Sequence, residues 1–101
     1  MMKERVYKYL TLIPKGKVVT YRQVAEYLGN RYLARYVGNV LHDNPDGDKY
    51  PCYKVVNSKG YLAPSFVFGG ADEQKKRLEA DGVEVVGNRV DLKKYKWIYD
   101  L

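Results

Sequence analysis

The stretch Thr20-Tyr21-Arg22-Gln23-Val24-Ala25-Glu26-Tyr27-Leu28-Gly29-Asn30, continued by Arg31 to His42, decides the fold. Thr20 is a good N-cap, Val24, Ala25 and Leu28 fall on one helical face, and Gly29-Asn30 is a helix-stop dipeptide. A second helix, about Tyr32 to His42, follows at once. Two short helices joined by a glycine-containing turn form the helix-turn-helix pattern, in which the second helix is the recognition helix. An ordinary pair of packed helices shows the same pattern, so the flanking sequence has to discriminate.

Upstream, Val6, Tyr9, Leu10 and Ile13 recur at helical spacing until Pro14, and Gly16 turns the chain into a short β-like Lys17-Val18-Val19. Downstream, Asn44-Pro45-Asp46-Gly47-Asp48 must be a loop, and it delivers the chain to Pro51-Cys52-Tyr53-Lys54-Val55 and the β-branched pair Val55-Val56. Tyr61 to Gly70 has no period and contains Pro64, which predicts a wing or loop and the most mobile segment. Ala71 to Asp81 reads as a surface helix, acidic at its start and ended by Gly82. Val83 to Val86 and Arg89 to Asp91, separated by Gly87-Asn88, predict a two-residue hairpin, and the tail Leu92 to Leu101 is expected to pack back on the core. The sum is a mainly α fold with short β elements, a winged helix-turn-helix spanning residues 1–101 as a single domain.

Eighteen Lys and Arg against twelve Asp and Glu give a formal charge of +6, which favours a polyanionic partner. One Cys forms no internal disulfide, and one Cys with one His forms no zinc site, so no metal is expected and Cys52 matters, if at all, as a thiol. With no leader and no membrane-length apolar run, the sequence reads as a soluble, cytoplasmic or DNA-associated protein without a membrane partner.

A lone Cys is most often a small buried hydrophobe, and that reading of Cys52 stands beside the reactive one. Arg35 is flanked by Ala34 and Gly38, small residues that let a helix backbone approach something large while a long cation projects; tight helix packing around a solvated Arg is the bland alternative. His42, beside Asp43 at the helix end, reads as a cap or a phosphate contact.

Together Val19-Thr20-Tyr21, Ala34-Arg35-Tyr36-Val37-Gly38, Asn44-Pro45, Pro51-Cys52-Tyr53-Lys54-Val55-Val56 and Gly69-Gly70 before a helix resemble the DNA-binding and active-site domain of O6-alkylguanine-DNA alkyltransferases, from about Val6 to Gly82. The resemblance implies a recognition helix in the minor groove, Arg35 filling the gap left by a flipped guanine, and Tyr21 assisting rotation and departure of the base. It implies DNA contacts from Thr20, Tyr21, Ala34, Arg35, Gly38 and Asn39, and from His42, Asn44 and Lys54. Asn44 would brace the loop before Cys52, which would take the alkyl group irreversibly without a cofactor. The expected partner is double-stranded DNA bearing O6-alkylguanine, bound by a monomer.

Three positions depart from the family pattern. Tyr53 replaces the usual His after the Cys, Asp81 replaces the glutamate that backs that His, and Lys54 replaces an Arg. With Tyr53 and Asp81 counted in the catalytic set beside Cys52 and Tyr21, single-turnover alkyl transfer is the leading expectation. The alternative is an alkyltransferase-like sensor that flips the lesion and recruits other repair proteins; members of that group generally lack the cysteine. A plain winged-helix regulator with a core Cys is the third reading.

Overall fold

The structure, a computed structural model, describes residues 1–98. Helix α1 (Met2–Leu12) buries Val6, Tyr7, Tyr9 and Leu10. Ile13 leaves the helix with extended dihedrals, as a residue preceding proline must. Strand β1 (Val19–Thr20) leads into α2 (Tyr21–Tyr27). Thr20 Oγ1 accepts from the Gln23 amide at 3.1 Å and Gln23 Oε1 accepts from the Thr20 amide at 2.9 Å, a complete capping box. Gly29 takes φ +99° after α2, and the Asn30 amide donates back to the Ala25 carbonyl at 3.1 Å. The second helix of the motif starts as a 3₁₀ turn (Arg31–Leu33) and continues as α3 (Ala34–His42).

Val37, Val40 and Leu41 on α3 share one core with Val24, Ala25 and Leu28 on α2 and with the inner face of α1. Tyr7 Oη donates to the Val40 carbonyl at 2.9 Å, so α1 is bonded to α3 as well as packed on it. After the loop, a 3₁₀ turn (Cys52–Lys54) feeds β2 (Val55–Val56), which pairs in parallel with β1 in the register Val19 to Val55 and Thr20 to Val56. Helix α4 (Gly70–Ala80) is followed by the antiparallel pair β3 (Val85–Val86) and β4 (Arg89–Val90). Gly87 and Asn88, at φ 58° and 57°, form the left-handed two-residue turn that the sequence predicts. A short helix α5 (Leu92–Tyr95) brings the tail along β1, where the Trp97 amide donates to the Val18 carbonyl at 2.8 Å. Of the predicted tail, 99–101 lie outside the described residues. No helix among the described residues is long and apolar enough to cross a membrane.

The segment 61–70 departs from its expected looseness. Gln74, 1 % exposed on α4, accepts from the Ala63 amide at 2.8 Å and donates to the carbonyls of Tyr53 and Val55, while Phe66 is buried and the Gly69 and Gly70 amides both return to its carbonyl. Of the two readings, wing or loop, the segment takes the loop, and the antiparallel hairpin lies further along at 85–90.

One polar tie organises the lower half of the molecule. Lys54 is 5 % exposed, and its Nζ donates to the carbonyls of Ile13 and Pro14 at 3.3 and 3.0 Å and lies 3.1 Å from Asp81 Oδ2, which also accepts from the Gly16 amide at 2.9 Å. The end of α1, the turn before β2 and the end of α4 therefore meet at one ion pair. Lys54→Met should lower the unfolding free energy in urea by about 3 kcal/mol, because it strands a poorly hydrated carboxylate, and adding Asp81→Leu should restore part of that loss. A double variant as unstable as the sum of the two single changes would contradict the assignment.

Candidate active site and nucleic-acid interface

Cys52 begins the 3₁₀ turn, 4 % exposed, held from both sides. On the upstream side Asn44 is buried at the end of α3; its Nδ2 donates to the Tyr50 carbonyl at 2.8 Å and its Oδ1 accepts from the Asp46 amide at 3.0 Å. Those two bonds fix both ends of the Asp46–Tyr50 loop. On the downstream side Lys54 anchors the turn as described.

The thiol faces a cavity of about 60 Å³ bordered by Tyr21, Leu41, Val55, Phe66 and Val67. Gly38, His42, Ser65 and Tyr21 border both this cavity and an open groove along α3 whose other walls are Ala34, Arg35 and Asn39. The structure thus gathers Tyr21, Ala34, Arg35, Gly38, Asn39 and His42 on one face, with Cys52 behind it. A Cβ on Gly38 would come only within 4.0 Å of the Tyr21 ring, so the fold itself does not demand glycine there. Ala34 packs partly against the core, and both Ala34 and Gly38 also line the open groove.

Three expected residues are engaged within the protein, and a fourth takes the bracing role rather than a DNA contact. Thr20 is buried and its hydroxyl is committed to the helix cap, and Lys54 is buried with its ammonium committed to Asp81 and two carbonyls, so neither presents a group to a phosphate. The Asp81 carboxylate is bonded to Lys54 and the Gly16 amide, and it acts on Tyr53 only through its charge. Asn44 is buried and acts on the protein's own backbone, which is the brace before Cys52 that the resemblance implies.

The electrostatics bear on reactivity. Burial pushes the Cys52 thiol above its ordinary pKa, against weaker opposing pulls from the Asn44 amide, the local backbone and the Arg77 guanidinium. Burial, helped by the Asp81 carboxylate, also raises the Tyr53 phenol, and burial together with Cys52 raises Tyr21. Both phenols therefore stay protonated at neutral pH. Arg77 and Gln74, which act on this site from α4, were not among the expected residues.

The family model described as "6-O-methylguanine DNA methyltransferase, DNA binding domain" matches residues 1–83, and the chain belongs to that family. It is 41% identical over 95 residues to the DNA base-flipping protein of Vibrio parahaemolyticus, covering 92% of each chain. It is also 41% identical over 92 residues to the bifunctional methyltransferase/endonuclease of Picrophilus torridus, where the match covers 91% of this chain and 30% of that protein. Among solved structures it is similar to Schizosaccharomyces pombe Atl1 in complex with damaged DNA containing O6-carboxymethylguanine, with a TM-score of 0.87, 32% identity and coverage of 97% of this chain and 95% of that one.

The raised thiol pKa predicts that carboxamidomethylation of Cys52 by iodoacetamide accelerates about tenfold per pH unit above pH 7 and levels off at higher pH than for a free cysteine (~8.5). Removing the hydrogen-bonding amide in Asn44→Ala should move that inflection further up, since the amide favours the thiolate. Intact-mass kinetics across pH measure both; an inflection unmoved or lowered by Asn44→Ala would contradict the role given to the amide.

Proposed function

We propose that this protein binds double-stranded DNA along the α3 groove, admits an extrahelical O6-alkylguanine past Tyr21 and transfers the alkyl group to Cys52. The observation that carries the reading is the shared border: Tyr21, Gly38, His42 and Ser65 line both the groove beside Arg35 and the cavity that holds the thiol. Rotating a base out of the stack costs a few kcal/mol, and an intercalating Arg35 with cationic contacts to phosphate offsets that cost. Arg35 is exposed on α3, free of the burial that removes Lys54 from such a role.

In the transfer, Cys52 loses its proton to solvent, its sulfur forms a bond to the alkyl carbon, and the bond from that carbon to guanine O6 breaks. The departing guanine takes up one proton, which the neutral Tyr21 phenol is placed to supply and later recover from water. The S-alkyl cysteine persists, so each molecule acts once. The monomeric state and the absence of a cofactor are part of this proposal.

A second reading, a lesion sensor that flips the base and recruits other repair proteins, is favoured by the elevated thiol pKa and by a neighbouring tyrosine in place of a basic imidazole. Likeness over nearly the full length to a protein named for base flipping points the same way. Mass spectrometry of the intact protein after incubation with an O6-methylguanine duplex separates the two. Transfer predicts one added methyl per molecule, mapped to the Cys52 peptide and abolished in Cys52→Ser with lesion binding retained. Saturated binding with no mass gain would leave the sensor.

Arg35→Ala should reduce base flipping, read by a fluorescent base analogue beside the lesion, more than it reduces affinity. Equal losses would make Arg35 another phosphate contact. Affinity itself should fall steeply with salt and depend little on sequence.

A further inference from the structure

Phe66 has two neighbours of different character. One face borders the cavity with Cys52, and the Arg77 guanidinium carbon stands 5.7 Å from its ring centroid on α4. The same guanidinium lies 5.2 Å from the centroid of Phe68, whose ring meets Phe66 edge-on at 5.9 Å, while Arg77 Nε is held 3.3 Å from Glu73 Oε2. The cation therefore sits against both aromatic rings of the segment that roofs the thiol.

The opposite loop is shaped to this arrangement. Gly47 is buried, and a Cβ there would stand 2.7 Å from Phe68 Cε2 and 2.8 Å from an Arg77 terminal nitrogen, so any side chain there would push the Phe68 ring or the Arg77 tip aside. At its start the roof is pinned at Ala63 by the fully buried Gln74. At its end it runs into Gly69 and Gly70, both in left-handed conformations with φ of 127° and 79°. Between those points its two phenylalanines are fastened by Arg77, whose side chain is 29 % exposed. Backbone bonds on either side of Phe66 hold the main chain, and the two rings are the part of the roof that Arg77 packs against.

We infer that Arg77 is a positioning residue that sets substrate size: by clasping Phe66 and Phe68 against the Gly47 loop it limits how large a group can reach Cys52. The inference deepens the transferase or sensor reading of the same cavity and rests on it for its biological meaning, but its physical content does not require DNA. Releasing the clasp enlarges the space over the thiol while leaving Cys52, Tyr21 and the α3 groove in place.

Because Cys52 is the only cysteine in the chain, its chemical modification reports the roof directly. The test compares modification rates by iodoacetamide and by the much bulkier fluorescein-5-maleimide, on native protein, for wild type, Arg77→Met, Arg77→Lys and Gly47→Ala. The ratio of the bulky to the small rate cancels any change in thiolate population, which Arg77 also affects. Arg77→Met should raise that ratio about tenfold, on the scale of a partly desolvated cation–π contact. Arg77→Lys should fall between, and Gly47→Ala, which keeps the cation but wedges it away, should raise the ratio likewise. An unchanged ratio in Arg77→Met and Gly47→Ala, or a rise of both rates in parallel as in general loosening, would overturn the inference. In a second arm, the affinity of Arg77→Met for O6-benzylguanine over O6-methylguanine duplexes should rise relative to wild type. Failure of wild type to bind either duplex would contradict the proposed function while leaving the reagent ratio to judge Arg77.

Discussion

The buried pair of Lys54 and Asp81 is the constraint on which the site depends. Cys52 belongs to a single 3₁₀ turn, and a turn that short has no ladder of its own to hold it. Its position is dictated by what grips it on either side: Asn44 through the loop upstream, and Lys54 through the end of α1 and the end of α4 downstream. A buried ion pair of this kind is a weak source of net stability compared with an apolar replacement, but removing one member is strongly unfavourable. What it supplies here is registration. Lysine, with three donors on one compact head, satisfies two carbonyls and a carboxylate converging from different directions, where a planar fork would not.

That solution has a chemical consequence for the thiol. The charge nearest in sequence to Cys52, on Lys54, is spent on architecture, and the phenol beside it holds its proton, so the sulfur sits in a desolvated cavity with the Asn44 amide, the local backbone and the Arg77 charge favouring the thiolate. Burial protects the cysteine from adventitious oxidation and excludes water from a displacement reaction, but it lowers the fraction of the reactive form at neutral pH.

The helix-turn-helix was legible because its boundaries are written locally: Thr20 caps, Gly29 stops, and the apolar faces of α2 and α3 repeat at helical spacing. The hairpin was legible for the same reason, through Gly87-Asn88. Motif order pointed to Cys52 and Arg35 as site residues, and the structure puts one on a cavity and the other on the groove that adjoins it. The resemblance placed Lys54, Asp81 and Thr20 at the site, whereas the partners that engage them within the protein lie 40, 65 and 3 residues away and only the last is visible locally. Gln74 carried a faint signal, being four residues before Leu78 on the one inward face of α4. Arg77 carried none, since its meeting with Phe66, Phe68 and Gly47 is made by the tertiary fold. The segment 61–70 looked loose because proline and the lack of a period say nothing about the buried glutamine that holds it.

The most direct measurement of the central claim follows the alkyl carbon itself. A duplex carrying O6-methylguanine with a ¹³C-labelled methyl group, mixed with excess protein, should show the carbon resonance leaving the O-methyl region for the S-methyl region, with Overhauser contacts from the new methyl to Tyr21 and Phe66, which border the Cys52 cavity. A label that stays in the O-methyl region while the DNA is fully bound would contradict Cys52 as the acceptor.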